Sequence, residues 1–161
     1  MPVSSHGHTP RANIDPICSS TAAMSVFTIQ LTRPLRYETL VMFIDSGGCG
    51  RSLVTVSGTT DPFSMVEIAE TMAMTAAENA DISGFALASV RPSNPIPSDQ
   101  NAGDLMMAHD NKLWSEADSV VNEFGLVLYD WMIIGRNGAL SMCNELGLVS
   151  RWPARASRSR R

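Results

Sequence analysis

The sequence predicts an α/β domain in which one mixed β-sheet carries two main helices, in the order β-β-α-β-α-β. Three observations lead to this fold class. Two apolar runs flank a glycine-rich turn near residue 48, which is typical of a hairpin. Apolar residues then recur at helical spacing after Asp61. Two later runs, FALASV and LVLYDWMII, are continuously apolar, as in strands that are buried on both faces.

The hairpin consists of a strand over Tyr37–Asp45, a turn over Ser46–Arg51 and a strand over Ser52–Ser57. Three glycines in the turn raise the alternative of a phosphate-binding loop. Such a loop connects a strand to a helix and continues into Gly-Lys-Ser/Thr, whereas this segment lies between two strands and lacks that motif. We therefore interpret it as a turn.

The first helix is predicted to begin at Asp61-Pro62, because Asp suits the N-cap and Pro suits the first turn. Ser64 and Glu67 offer an alternative capping box one turn later, and the helix should end near Asn79. The residues expected to face the sheet are Met65, Ile68, Ala69, Met72 and Ala76.

A buried strand over Phe85–Val90 leads through a proline-rich loop into a second helix, expected from about Gly103 to Phe124. Gly125 suits the position after the helix end, and a strand over Leu126–Ile134 follows. Residues 136–149 are expected to hold a short hairpin or strand. The predicted buried side of the second helix comprises Leu105, Ala108, Leu113, Ala117, Val120, Val121 and Phe124.

Composition is that of one domain with a substantial core, since 44% of the 161 residues are hydrophobic and 17% are charged. No apolar run approaches the roughly 18 residues of a membrane span, and the N-terminus lacks the pattern of a secretory signal. The three cysteines are scattered without Cys-x-x-Cys spacing, which argues against a disulfide framework or a zinc ribbon. A reducing cytoplasm is the expected compartment.

Charge and composition divide the chain into three parts. Residues 1–30 are expected to be disordered, residues 31–153 to form the domain, and residues 154–161 to form a disordered basic tail. Met24 is an alternative start, because MSVFTIQL begins the first apolar pattern. Acidic residues dominate the domain, which argues against a broad nucleic-acid surface. The tail arginines would give at most weak, salt-sensitive binding, and a solvated tail is the preferred interpretation.

Two segments, ASVRPSNPIPSDQN (residues 88–101) and LYDWMIIG (residues 128–135), carry a family resemblance. The first resembles the metal-binding segment of JAB/MPN (JAMM) domains, most closely the branch of bacterial RadC-like proteins. In that family a strand runs into His-x-His-Pro, and Ser-x-x-Asp closes the site. Here Ser89 and Arg91 stand at the histidine positions, and Asn101 stands at the aspartate position. The resemblance covers roughly Pro34 to Trp152.

The resemblance implies a JAB/MPN-like fold whose metal site is degenerate, with no catalytic residue and no metal. Serine is a poor zinc ligand, arginine repels a cation, and asparagine lacks the carboxylate. Trp131 stands where RadC-like members usually carry a histidine, and Glu38 is not assigned as a general base. The residues that remain family-like are Pro92, Ser93, Pro97, Ser98, Asp130 and Ile133–Gly135. The predicted pocket comprises Pro92, Ser93, Ser98, Asp99 and Asp130.

Other interpretations of single residues stay open at this point. Arg91 is expected to pair with a core acid, Asp130 or Asp99, or else to bind an anion or an acidic partner in the pocket. His109 and Asp110 are expected on an exposed helix face, and Cys143 with His109 is a conceivable nucleophile pair. His6 and His8 form a His-x-His, for which solvated disorder is the preferred reading.

The expected function is that of a binding or scaffold module, since degenerate members of this fold typically serve in protein–protein assembly. Its partner would be another protein or a second copy, contacted through the pocket or through a sheet edge at Tyr37–Asp45. An alternative is an isopeptidase-like hydrolase that binds zinc through Asp99, Asp104 and His109. A third interpretation, association with DNA repair, follows only from the naming of RadC-like proteins and from the arginine tail.

Overall fold

The computed structural model describes residues 8–92 and 109–154. These residues form one five-stranded sheet with helices packed against it, in the strand order β2-β1-β3-β4-β5. The elements are α1 Ser20–Gln30, β1 Glu38–Asp45, β2 Gly50–Ser57, α2 Ser64–Ala77, β3 Ile82–Val90, α3 Asp110–Glu123, β4 Val127–Gly135, β5 Gly138–Ser141 and α4 Met142–Glu145.

The sheet is mixed, which confirms the predicted α/β class. Strand β1 pairs antiparallel with both β2 and β3, and β4 pairs antiparallel with β5. Strands β3 and β4 are parallel, and the chain between them includes α3. Since β1 has a neighbour on each side, the expectation that Tyr37–Asp45 forms a sheet edge is wrong. The edges are β2 and β5.

Both faces of the sheet are covered, which explains the continuous burial of β1, β3 and β4. One face packs against α2 and α3; its core includes Val41, Phe43, Phe85, Leu87, Trp131, Met65, Ala69, Leu113 and Ala117. The opposite face packs against α1 and the C-terminal segment; its core includes Leu40, Met42, Ala86, Ala88, Met132, Phe27 and Trp152. The domain is thus a three-layer sandwich with the sheet in the middle.

Helix α1 corrects the expectation that residues 1–30 are disordered. It spans Ser20–Gln30, and Ala23 and Phe27 are fully buried against the sheet. The Ser19 hydroxyl caps it by accepting a hydrogen bond from the backbone N–H of Ala22 at 3.0 Å. The sequence conceals this helix because only two of its residues are fully buried, which leaves little periodicity. Packing on the sheet, rather than intrinsic propensity, stabilises such a short helix.

Helix ends agree with the sequence in part. Helix α2 begins at Ser64 rather than Asp61, whose carboxylate instead accepts the N–H of Phe63 at 2.9 Å in the preceding turn. Gly125 has φ of 73°, which confirms its role after the end of α3. Phe124 was expected to be buried but is exposed. The predicted first residues of the second helix, 103–108, lie outside the described residues.

Replacing Phe27 by Ala should lower the free energy of unfolding by about 3–5 kcal/mol, because a fully buried aromatic ring leaves a cavity. Ile29→Ala is the matched control, since Ile29 is 66% exposed on the same helix, and its effect should be close to zero. Urea denaturation followed by circular dichroism measures both. Equal effects of the two substitutions would contradict the packing of α1 on the sheet.

Candidate functional site

A buried ion pair lies where β3 ends and α3 begins. Arg91 follows the last residue of β3, and its backbone N–H donates to the carbonyl of Ile134 on β4 at 2.8 Å. Its Nη1 and Nη2 donate to Oδ2 and Oδ1 of Asp110 at 2.8 and 2.9 Å. Arg91 is 6% exposed and Asp110 is fully buried. The two parallel hydrogen bonds make this a bidentate pair, the strongest arrangement of these two groups.

Trp131 extends this contact to Ser89. The indole Nε1 of Trp131 donates to the Ser89 hydroxyl at 2.8 Å, and the Arg91 guanidinium carbon lies 5.6 Å from the indole ring centroid. Ser89 and Arg91 therefore lie on the same side of the sheet, at the same indole. We call Ser89, Arg91, Asp110 and Trp131 the Arg91 cluster.

The partner of Arg91 differs from the sequence expectation. The acid that pairs with it is Asp110, so the prediction of Asp130 as the partner is wrong, and Asp99 lies outside the described residues. Asp110 was expected on an exposed helix face and is instead buried. The sequence conceals this because Asp110 is the first residue of α3, a position at which an acid also suits the helix dipole.

A small cavity of about 100 Å³ adjoins the Arg91 cluster. The hydroxyls of Thr39 and Thr59 hydrogen-bond to each other in its wall at 2.9 Å. Its lining is rich in hydroxyl groups and includes Tyr37, Thr39, Thr59, Thr60, Ser64, Ser89 and Arg91. Its volume corresponds to a few water molecules. Among the predicted pocket residues, Pro92 is buried next to Arg91, whereas Ser93, Ser98 and Asp99 lie outside the described residues, as does the predicted metal-site position Asn101.

The described side chains at this position do not fit a divalent cation. The Ser89 hydroxyl accepts from an indole N–H, both oxygens of Asp110 are bound to the guanidinium, and Arg91 stays positive at any relevant pH. Within residues 8–92 and 109–154, no three His, Cys, Asp or Glu side chains converge as a metal site. His109 is exposed, and its ring packs 5.8 Å from that of Phe63.

Glu38 lies on the opposite face of the sheet from Ser89. In the register of β1 with β3, Thr39 pairs with Ser89 and Glu38 pairs with Val90, which belongs to the core beneath α1. Because side chains alternate along a strand, Glu38 points away from the Arg91 cluster. Its carboxylate accepts hydrogen bonds from the backbone N–H and the hydroxyl of Thr32 at 3.0 and 2.9 Å.

Asp130 belongs to a separate site, created by an irregularity in β4. Phe85 pairs with Leu128 but Leu87 pairs with Trp131, so β4 carries one extra residue at this point. Such a bulge re-aims a side chain that regular alternation would place elsewhere. Here it accommodates Asp130, which is fully buried and lies outside the Arg91 cluster.

Four donors surround the Asp130 carboxylate. Oδ1 accepts the backbone N–H groups of Trp131 and Cys143 at 2.8 and 3.0 Å. Oδ2 accepts the hydroxyl of Ser20 at 2.6 Å and also that of Ser141. Asp130 thus ties α1 to β4 and to the junction of β5 and α4, a structural role that accounts for its complete burial.

Cys143 is an inert thiol in this environment. Burial, reinforced by the nearby Asp130 charge, raises its pKa to about 12, and its Sγ hydrogen-bonds to the carbonyl of Tyr129 at 3.6 Å. The described contacts of Cys143 do not include His109, so the conceivable nucleophile pair is not formed. A thiol in this state contains almost no thiolate at neutral pH.

The sequence matches no known protein-family model, and no curated protein matches it significantly. The JAB/MPN assignment therefore stays an interpretation of the residue pattern. In the described part of the chain, no helix is long and apolar enough to cross a bilayer.

Asp110→Ala should lower the free energy of unfolding by about 3–5 kcal/mol, because it removes the carboxylate that forms a bidentate bond with a buried guanidinium. The double variant Arg91→Met/Asp110→Leu removes both charges and should recover most of that loss. Urea titrations of the wild type, of Arg91→Met and Asp110→Leu as single variants and of the double variant measure the coupling. Additive losses in the double variant would contradict the pairing.

Cys143 should resist iodoacetamide at pH 8 in the folded protein and react after denaturation, because only the thiolate attacks and its folded-state pKa is about 12. Cys18, which is partly exposed, serves as the internal reference for reagent activity. Peptide mass spectrometry quantifies both sites. Labelling of Cys143 as fast as Cys18 in the native protein would contradict its buried, protonated state.

Proposed function

We propose that this chain is a catalytically inactive domain of the JAB/MPN type, RadC-like branch, which acts as a binding or scaffold module. One observation carries the proposal. At the two positions where the resemblance places metal-binding histidines, Ser89 is bonded to Trp131 and Arg91 is bonded to Asp110. The two positions that would hold a metal in an active relative are occupied here by side chains that join β3, β4 and α3.

The electrostatics of the Arg91 cluster support an assignment without a metal. A cation at this position would meet a guanidinium that does not lose its charge. Displacing Arg91 to admit the cation would break a bidentate bond and disrupt a buried pair, at a cost of several kcal/mol. Removing the positive charge from the cluster is therefore a prerequisite for metal binding at this position.

The competing function is an isopeptidase-like zinc hydrolase that uses Asp99, Asp104 and His109. The two aspartates lie outside the described residues, and His109 is exposed against Phe63, beside an Asp110 whose charge Arg91 already neutralises. These contacts favour the module. The DNA-repair interpretation depends on the arginines of the tail at residues 154–161, which lie outside the described residues, whereas Arg151, just before that tail, is bound to Asp118.

The metal content of untagged protein tests the proposal. We expect substoichiometric zinc by plasma mass spectrometry and no change in melting temperature on addition of zinc or of a chelator, because no ligand set is available at the Arg91 cluster. The hydrolase predicts one zinc per chain, lost in the variants Asp99→Asn, Asp104→Asn and His109→Ala. Stoichiometric zinc that those variants abolish would refute the module.

A further inference from the structure

We propose that the outer edge of β2 is a self-association surface, through which two copies of this chain pair antiparallel. Strand β2 spans Gly50–Ser57 and is the long edge of the sheet, bonded to β1 on one side. Its residues are exposed or only half-buried, in contrast to the buried strands β1, β3 and β4. The other edge strand, β5, has only four residues and continues directly into α4.

The hydrogen-bond phase of the hairpin shows which backbone groups face outward. The N–H of Gly58 donates to the carbonyl of Tyr37 at 2.9 Å, which continues the β1–β2 ladder by one pair. In an antiparallel ladder, bonded and non-bonded pairs alternate, so Val56 and Val54 also bond to β1. The residues that direct both backbone groups away from β1 are Leu53, Thr55 and Ser57.

These outward groups have no backbone partner among residues 8–92 and 109–154. From residue 8 onward, the N-terminal segment hydrogen-bonds to the beginning of the edge, where the N–H of Asn13 donates to the carbonyl of Gly50 at 2.9 Å, and residues 10–12 line a cavity together with residues 51–53. An unpaired row of N–H and C=O groups is a template for another strand.

The edge lacks the features that protect natural sheet edges from pairing. Proteins block such edges with lysine, proline, an inward-pointing charge or a very short strand. The stretch SLVTVS, residues 52–57, contains no charge and no proline, and it is rich in β-branched residues. The bulge of β2 lies at its N-terminal end, between the pair of Phe43 with Ser52 and the pair of Ile44 with Gly50. The uncharged, β-branched residues of β2 therefore lie where the edge has no bulge.

A second copy fits this edge because the outward groups are self-complementary. An antiparallel pairing centred on Thr55 places Thr55 opposite its counterpart and Leu53 opposite Ser57, so every outward N–H and C=O finds a partner. Val54, which is 37% exposed, would face Val56 across the interface. Like charges do not meet, because Arg51 falls opposite Thr59. Two sheets would then join into one continuous sheet.

Sedimentation velocity over a dilution series tests this in the full chain. The wild type should form a dimer, and Thr55→Pro should raise the dimer dissociation constant at least about tenfold, because proline removes the central N–H donor. That N–H is not used within the hairpin, so the monomer fold should persist. Thr55→Val is the matched control, since it keeps the donor and the β-branched shape, and it should remain dimeric.

A charge pair tests the register independently of proline. Thr55→Lys alone and Thr55→Glu alone should be monomeric, because like charges would meet at the two-fold axis, whereas an equimolar mixture should form heterodimers. Hydrogen exchange should show concentration-dependent protection for the amides of Leu53, Thr55 and Ser57, and constant protection for those of Val54 and Val56. A wild type that stays monomeric, or a dimer that all Thr55 variants retain, would overturn the inference.

A second copy is thus the partner of the module proposed above, and sedimentation tests the dimer separately from the metal content. A protein that is monomeric and free of metal would refute the β2 dimer but leave the non-catalytic assignment intact. A dimer that carries stoichiometric zinc would support β2 pairing but refute the non-catalytic assignment.

Discussion

The ion pair between Arg91 and Asp110 is the contact on which the arrangement of this face of the sheet depends. Two charges out of water are tolerated only when each satisfies the other, so the end of β3 and the start of α3 are fixed relative to each other. Trp131 and Ser89 add β4 and complete the joint. A pocket that the family resemblance associates with metal chemistry is thereby occupied by contacts that hold elements together.

Asp130 likewise holds secondary-structure elements together, at a different place in the fold. Its carboxylate joins α1 to β4 and to the β5–α4 junction. In the described part of the chain, every buried side-chain nitrogen and oxygen has a hydrogen-bond partner. Buried polar networks that are fully satisfied favour one arrangement over its competitors, because any slip leaves a polar group without a partner. The sheet alone would not enforce this, since its apolar contacts tolerate small displacements.

Local patterns predicted the parts of the fold that depend on local sequence. The continuous runs of β1, β3 and β4 and the glycine at position 125 each carry their own physical cause, burial on both faces and a positive φ. Helix α1 was missed because its stability comes from the sheet. For the site, the sequence predicted which positions matter but not the contacts of their side chains. Ser89 and Arg91 contact Trp131 because of the parallel register of β3 and β4, and Asp130 is buried because of a bulge in β4. Neither the register nor the bulge is visible in either strand alone.

If the chain is of the proposed JAB/MPN type, the Arg91 guanidinium occupies the place of that family's metal ion and excludes it. Crystals grown with zinc and measured at the zinc absorption edge test this most directly. We expect an intact bidentate bond between Arg91 and Asp110 and no anomalous peak within coordination distance of Ser89 or Asp110. A zinc peak there, with the guanidinium displaced, would contradict it.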